Sequence, residues 1–516
     1  MNIRLSSRPD SPLPYLAALL AGAANVFAFA PFGWWPLQIL MLALLFALLR
    51  RETSVRRSAL LGWVYNAAWI VSGTHWLYIS MHRYGGLPGW MAATAVVLLG
   101  TGLATYAAFG FGASAWLRKR RALGDAAYLL LVLPAAWTLV EWTRGWAFTG
   151  FPWVSSGYAH TAGPLAGYAP LVGVYGIALL SAIIAGCLAL LPARRLPLAL
   201  AAALLAAGIG LRAVEWTHPH GQALSVRLLQ GNVPQEMKFQ PEQIEDTLAL
   251  YHRMITDTPA DLIATPETAI PLLSRQLPPD YLPRLADFAG KSNSHLVVGI
   301  PVSDGPGRYA NSALGIAPGA APAYRYDKHH LVPFGEFIPP GARWFVEMMR
   351  IPLGDFSRGA PLQAPFRVRD QTVLPNVCYE DLFGEEIAAQ LAAGNGIPEA
   401  TILLNVSNIA WFGDSIALPQ HLQISQMRAL ETGRPMLRAT NTGATAVVGP
   451  KGEVQAQLPP FERGVLAAKV QGYAGLTPYS RAGNATVLAA VLLMLSGAWI
   501  LRRGKPDNPQ NAAETR

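Results

Sequence analysis

The stretch PNVCYED, residues 375–381, is where an apolar run beginning at Val373 gives way to a cysteine and two acids. Residues 372–378 have the β-type composition of a strand, and Cys378 closes it. Two other runs end alike: 262–265 leads into Glu267, and 402–406 is closed by Asn405, Ser407 and Asn408. In α/β sheets the groups at the carboxyl ends of strands gather along one edge, where ligands bind. Three strands that each finish on polar side chains therefore imply an α/β domain with one site at that edge.

The surrounding segment, 218–480, supplies the rest of such a domain. Further strands are expected at 225–230, 296–302, 436–440 and 444–448, and helices at 241–256, 279–291 and 418–432. This pattern predicts an α/β sandwich with mixed sheets. Acids slightly outnumber bases here, so the net charge of +9 resides elsewhere in the chain and gives no reason to expect nucleic acid.

The remainder has the composition of a membrane protein. Of 516 residues, 52% are hydrophobic and 14% charged, and the mean hydropathy is +0.28. Runs approaching the ~20 apolar residues that a bilayer requires recur at 13–29, 34–49, 59–79, 90–117, 126–139, 171–191, 196–211 and 482–501. The expected organisation is a transmembrane domain of about seven helices over 1–217, the sandwich over 218–480, one more helix over 481–503 and a polar tail over 504–516.

Basic residues follow every second run: Arg50, Arg51, Arg56 and Arg57, then residues 118–121, then Arg194 and Arg195, then Arg502, Arg503 and Lys505, with Arg4 and Arg8 before the first. Positive loops stay on the cytoplasmic side, so these loops and both termini should be cytoplasmic and the sandwich outside. Ala28, Phe29 and Ala30 resemble a signal cleavage site, but Pro31 and another apolar run follow, which reads as a retained anchor. Trp34, Trp35, Trp142 and Trp146 fit interfacial belts. His75, Glu141 and Arg144 sit in or at the ends of apolar runs, where an ionisable group is either functional or snorkelling to the interface.

Between Glu267 and Cys378 lies YDKHHLVPFGEF, residues 326–337, a loop by its Pro and Gly that offers Lys328 and Glu336 as inward charges. Each residue taken singly has an ordinary structural role; together they make chemistry. A thiol of pKa ~8.5 is only a few per cent ionised at neutral pH, so a nucleophilic cysteine needs a base or cation beside it. Glu267 can take the proton and Lys328 can stabilise the oxyanion formed when a carbonyl is attacked, which leads to a thioester. His329 and His330 fit local hydrogen bonding, and no spacing suggests a metal site. The other cysteine, Cys187, lies in an apolar run as an inert thiol, and no disulfide is expected.

ATPETAIP around Glu267, YDKHHLVPFGEF around Lys328 and NVCYED around Cys378 resemble the Glu-Lys-Cys motifs of the nitrilase superfamily. With QGNVPQEMKF, SNIAWFGDS, MRALETGRPMLRATNTG and GLTPYSRAGN in order and apolar runs on both sides, the chain resembles the apolipoprotein N-acyltransferase family over nearly its whole length. The resemblance implies an α-β-β-α nitrilase-like sandwich on the periplasmic side of a bacterial inner membrane. It implies acyl transfer from a glycerophospholipid, typically phosphatidylethanolamine, to the α-amine of the S-diacylglyceryl cysteine of an apolipoprotein, with no cofactor or metal. Glu267 would be the base, Lys328 the oxyanion stabiliser and Cys378 the nucleophile, while Glu336, Tyr379, Glu380, Phe239, Asn408 and Trp411 would support the site or bind substrate. Phe239 and Ile409 stand where the family commonly has Trp and Asp.

Residues 343–352, RWFVEMMRIP, bring Trp344, Phe345, Met348 and Met349 together after a Pro-rich loop, and read either as an arm touching lipid or as a core helix. A water-using amidase anchored in the membrane shares the same thioester chemistry, and a transporter with an outer domain is the other alternative; no paired repeat supports the latter.

Overall fold

The computed structural model of the chain describes residues 11–191, 195–238, 240–319, 323–338, 355–392, 394 and 396–501. Helices occupy all eight apolar runs, among them Leu13–Ala24, Trp35–Arg51, Val55–Gly73, Ala169–Ala189, Leu196–Leu211 and Ala485–Ile500. Gly89–Arg121, Asp125–Thr149 and Pro164–Ala189 are each long and apolar enough to cross a membrane, and Leu13–Ala28, Leu196–Leu211 and Ala485–Ile500 are shorter apolar helices. Pro164–Ala189 is the central helix, with 72% of its apolar window buried, whereas Gly89–Arg121 is peripheral at 28%. Phe109, Trp90 and Leu493 stand more than seven-tenths exposed on the outer helices. Water would penalise so large an apolar exterior, and lipid would not. At one end Asp125 accepts from Arg50 and Arg118, each at 2.7 Å, tying three helices together.

The sandwich is two six-stranded sheets. In the first, β1 (His218–Gln230), β2 (Leu262–Ala264) and β3 (His295–Gly305) run parallel at the centre, flanked antiparallel by β4 (Arg308–Ile316), β5 (Tyr324–Asp327) and the late β12 (Gly464–Ala474). The second repeats the plan. Its β7 (Gln371–Val377), β8 (Ile402–Ser407) and β9 (Met436–Thr440) are parallel, flanked by β6 (Phe366–Val368), β10 (Ala446–Val448) and β11 (Val454–Gln457). Alternate side chains put Leu228, Ala264 and Val297 of one sheet against Val377, Leu404 and Ala439 of the other. The outer faces are covered by helices: Pro241–Thr256 and Tyr281–Ser292 on the first sheet, Gly384–Leu391 and Ala417–Thr432 on the second. The result is the expected α-β-β-α stack.

All seven expected strands and three expected helices are present. The strand through 372–378 ends one residue early, at Val377, because Cys378 adopts φ +51°, outside the β region. Strands β4, β5, β6, β11 and β12 and the helix Gly384–Leu391 were not expected. They are short, polar or rich in small residues, so local pattern marks them weakly.

The two halves meet along helix Ala417–Thr432, which faces the sheet on one side and the membrane helices on the other. Gln420 Oε1 accepts from the indole N–H groups of Trp76 and Trp153, at 3.1 and 2.8 Å. Glu431 Oε1 accepts the backbone N–H of Val174 at 2.8 Å, where Gly173 at φ +63° interrupts helix Ala169–Ala189. Glu141 and Arg144 do not snorkel. Both are buried and brace the loop after their helix: Glu141 accepts from Ser156 N and Oγ, and Arg144 donates to the carbonyls of Phe151 and Trp153. His75 is exposed, with Nδ1 on the carbonyl of Ser72.

Candidate active site

Strand ends and one inner strand deliver the site. Glu267 follows β2, Asn311 lies in β4, Lys328 follows β5, Cys378 follows β7 and Asn408 follows β8. The Lys328 ammonium, only 1% exposed, is held by two carboxylates: Glu267 Oε1 at 3.3 Å and Glu336 Oε2 at 2.8 Å. Asn311 Nδ2 donates to the same pair, to Glu267 at 2.7 Å and Glu336 at 2.8 Å, while its carbonyl accepts the Lys328 backbone N–H. The second oxygen of Glu267 accepts the backbone N–H of Asn408 at 2.9 Å. Glu267 interacts with two buried ammonium groups, Lys328 and Lys238, and its own charge bears on the thiol.

Burial, and then the Glu267 charge, push the Cys378 thiol up to about 12, against the opposing pull of Lys328 and the Ser407 hydroxyl. The resting cysteine is therefore protonated at neutral pH. Glu267 itself is held below the ordinary carboxyl range: burial opposes ionisation, but Lys328, Asn311, Lys238 and the Asn408 N–H together outweigh it. A protonated thiol faces an ionised base, the arrangement for general-base attack. The positive φ of Cys378 is a strained geometry for a non-glycine residue, of the kind that persists where surroundings over-determine it.

Those surroundings centre on Glu380. Its Oε1 accepts the backbone N–H groups of His329 and His330, at 2.7 and 3.2 Å, and Oε2 accepts the Val377 N–H at 2.6 Å and the Tyr326 hydroxyl at 3.1 Å. One buried carboxylate thus fastens the Lys328 loop to the turn that carries Cys378. Tyr379 reaches the other way, donating to the Gly150 carbonyl at 2.9 Å in the membrane half, and His330 places Nε2 on the Thr149 carbonyl at 2.7 Å.

Three contributors escaped sequence reading. Asn311 sits in an Ala-rich stretch, where an inward amide was the one available signal. Lys238, 2% exposed, donates to the Glu267 backbone carbonyl at 3.2 Å, and burial pushes its ammonium down to about 8 against the pull of Glu267 and Cys378. His421 puts Nε2 on the Cys378 carbonyl at 3.2 Å while Arg438 donates to Nδ1 at 2.8 Å, which fixes a neutral ring with its proton toward Cys378.

Residues 21–187 match the apolipoprotein N-acyltransferase N-terminal domain, and residues 225–479 match carbon-nitrogen hydrolase. A protein of Ralstonia nicotianae named apolipoprotein N-acyltransferase is 54% identical over 494 residues, covering 95% of this chain and 93% of its own. The chain belongs to the apolipoprotein N-acyltransferase family. Proteins of that name from Chromobacterium violaceum and Nitrosomonas europaea are 45% and 43% identical, covering 95% and 94% of this chain and 95% and 96% of their own. Among solved structures, an amidase of the nitrilase superfamily from Nesterenkonia AN1 overlaps 52% of this chain and 97% of its own, at 22% identity and a TM-score of 0.35.

The apolipoprotein N-acyltransferase family combines in one membrane protein the helical half and the nitrilase-type half described above. Of the residues expected to support its site, Glu336, Glu380 and Asn408 adjoin the Glu267–Lys328–Cys378 cluster through the bonds just given, whereas Tyr379 follows Cys378 in sequence and bonds to the membrane half. Trp411 packs edge-on to Tyr84 of the membrane half at 5.8 Å. Phe239, the segment 343–352 and the basic residues Arg4, Arg8, Arg194, Arg502, Arg503 and Lys505 fall outside the described residues. Ile409, 1% exposed, fills an apolar position just past Asn408.

Proposed function

We propose that this chain transfers an acyl group from a glycerophospholipid, phosphatidylethanolamine being the expected donor, to the N-terminal amine of a diacylglyceryl apolipoprotein. The observation that carries the reading is the buried cluster of Glu267, Lys328 and Glu336 beside Cys378 on a strained turn, in a chain whose other half is a lipid-facing helical bundle.

Glu267 takes the thiol proton as Sγ of Cys378 bonds to the donor's ester carbonyl carbon. Lys328 holds the oxyanion. The intermediate collapses by breaking the C–O bond, and Glu267 returns its proton to the departing lysophospholipid oxygen. In the second half, the neutral amine attacks the thioester, the C–S bond breaks, and Glu267 carries the amine proton to the sulfur. Glu336 and Asn311 position Lys328 and Glu267, and Glu380 holds the Cys378 turn. Water in place of the amine would give hydrolysis, so acceptor choice rests on the membrane: lipid chains leave a bilayer only at ~0.8 kcal/mol per CH₂, which favours a site at its surface.

The same reading assigns the domains as 1–217, 218–480 and 481–503 with a tail to 516, in an inner membrane with the sandwich periplasmic and the termini cytoplasmic. The rows of basic residues support this orientation. Mass spectrometry after incubation with phosphatidylethanolamine and no acceptor is the test. An acyl mass on the Cys378 peptide, absent in Cys378→Ala and discharged by a diacylglyceryl-cysteine peptide, is expected. A native chain left unmodified by several phospholipids overturns the donor assignment.

A further inference from the structure

The end of the helical bundle remote from the sandwich carries a feature that the acyl-transfer chemistry does not use. Helices Thr105–Arg121, Leu133–Trp146 and Ala485–Ile500 leave between them a cleft of about 550 Å³. Gly110, Ala113, Leu117, Leu139, Leu495 and Trp499 are among the residues lining it. Its volume falls within the ~300–1,000 Å³ typical of ligand clefts. Along the first helix it runs from Gly110 to Leu117, and along the last from Leu492 to Ile500. At 1.5 Å per residue that is roughly 10–12 Å, close to the ~15 Å depth of one leaflet.

The mouth of the cleft is basic. Residues 118–121 are Arg, Lys, Arg and Arg. Arg118 is committed to Asp125, but Lys119, Arg120 and Arg121 have no carboxylate partner among the described residues. Arg121 lies over the ring of Trp499 at 4.9 Å and Arg120 over that of Trp116 at 5.5 Å, and both tryptophans line the cleft. The Nε of Arg121 is shielded from solvent with no hydrogen-bond acceptor among the described residues. An apolar channel that spans most of one leaflet, capped by guanidinium groups laid on aromatic walls, matches an acyl chain ending in a phosphate.

We propose that this cleft is a binding site for one anionic phospholipid of the leaflet opposite the sandwich, its chain between the helices and its phosphate on Arg120 and Arg121. It is not the donor site. Helix Asp125–Thr149 begins beside Arg118 and ends at Thr149, whose carbonyl meets His330 of the active-site loop, so roughly 35 Å of helix separates the two. The lipid would hold Ala485–Ile500 against the helices it follows in space but not in sequence.

Native mass spectrometry of the full-length protein in mild detergent, titrated with equal amounts of dioleoylphosphatidylglycerol and dioleoylphosphatidylcholine, is the test. One non-covalent phosphatidylglycerol should be retained at least tenfold over phosphatidylcholine. Arg120→Ala with Arg121→Ala should reduce that preference below threefold, and Ala113→Phe, or Leu492→Trp if the first variant does not fold, should remove the adduct by filling the cleft. Equal retention of the two lipids by the native chain, or an adduct indifferent to either kind of variant, overturns the site. The readout is non-covalent, so it stands or falls apart from acylation of Cys378.

Discussion

Replacing Glu267 by Gln should make Cys378 more reactive toward a simple alkylating agent while slowing turnover severely. Burial and the Glu267 charge push the thiol up to about 12. At pH 8 roughly one molecule in 10⁴ is then thiolate, against about a quarter of an ordinary cysteine of pKa ~8.5. A more basic thiolate is a better nucleophile, with a Brønsted slope of ~0.4–0.5, so the net penalty is on the order of 10²-fold. Removing the carboxylate leaves burial in place but takes away the second cause and keeps the Lys328 ammonium. Each unit by which the thiol falls gives tenfold more thiolate of about threefold lower reactivity, hence about threefold faster alkylation. Acyl transfer, lacking its base, should drop ~10²–10⁴-fold. The assay is the second-order rate of iodoacetamide incorporation at pH 7–10 in a Cys187→Ala background, where Cys378 is the one remaining thiol. An unsubstituted Glu267 should give a rate still rising at pH 10. A plateau near pH 8.5, or slower alkylation in Glu267→Gln at pH 8, refutes the electrostatic reasoning.

Glu380→Gln should cost at least ~2 kcal/mol, since an amide cannot accept from all four donors that converge on the carboxylate; calorimetric melting reads this. Asn311→Ala should lower kcat about 10–100-fold by releasing both carboxylates around Lys328, as measured by steady-state acyl transfer. Glu267 is ionised below the ordinary carboxyl range, so the activity supported by its base form should be fully present above pH ~4.5 and be lost only as pH falls further; a pH–rate profile with an acid limb near 6–7 would contradict this. Gln420→Leu strands the buried indole N–H of Trp153 at the joint, at about 1–3 kcal/mol, while that of Trp76 keeps the Gly73 carbonyl, and hydrogen exchange should rise in helix Ala417–Thr432.

Glu267, Lys328 and Cys378 were legible because each polar residue ends an apolar run or sits in a Pro-Gly loop between two such runs, and strand ends converge in any α/β sheet. Asn311, Lys238 and His421 were not, because nothing in their neighbours separates a buried amide, amine or imidazole from a solvated one. Their roles depend on partners brought from distant segments, as when Arg438 fixes the ring of His421. The membrane half was legible from hydropathy, whose signal sums over many residues. Strand β12 was not: it pairs with β1 across the whole domain, and its Ala and Gly residues fit a sheet edge only once β1 is there to receive them.

The broken helix at Gly173 has a consequence for biogenesis. Its freed N–H, on Val174, is answered by Glu431, a side chain made more than two hundred and fifty residues later. During synthesis that donor of the central helix has no Glu431 to meet until the sandwich has been made and folded. Conversely, the sandwich expressed without its helices would expose a carboxylate that burial has pushed up to about 7 and that the bundle covers in the whole protein. Each half completes the other's hydrogen bonding at this joint, so separating the sandwich from its helices would leave polar groups of both without these partners.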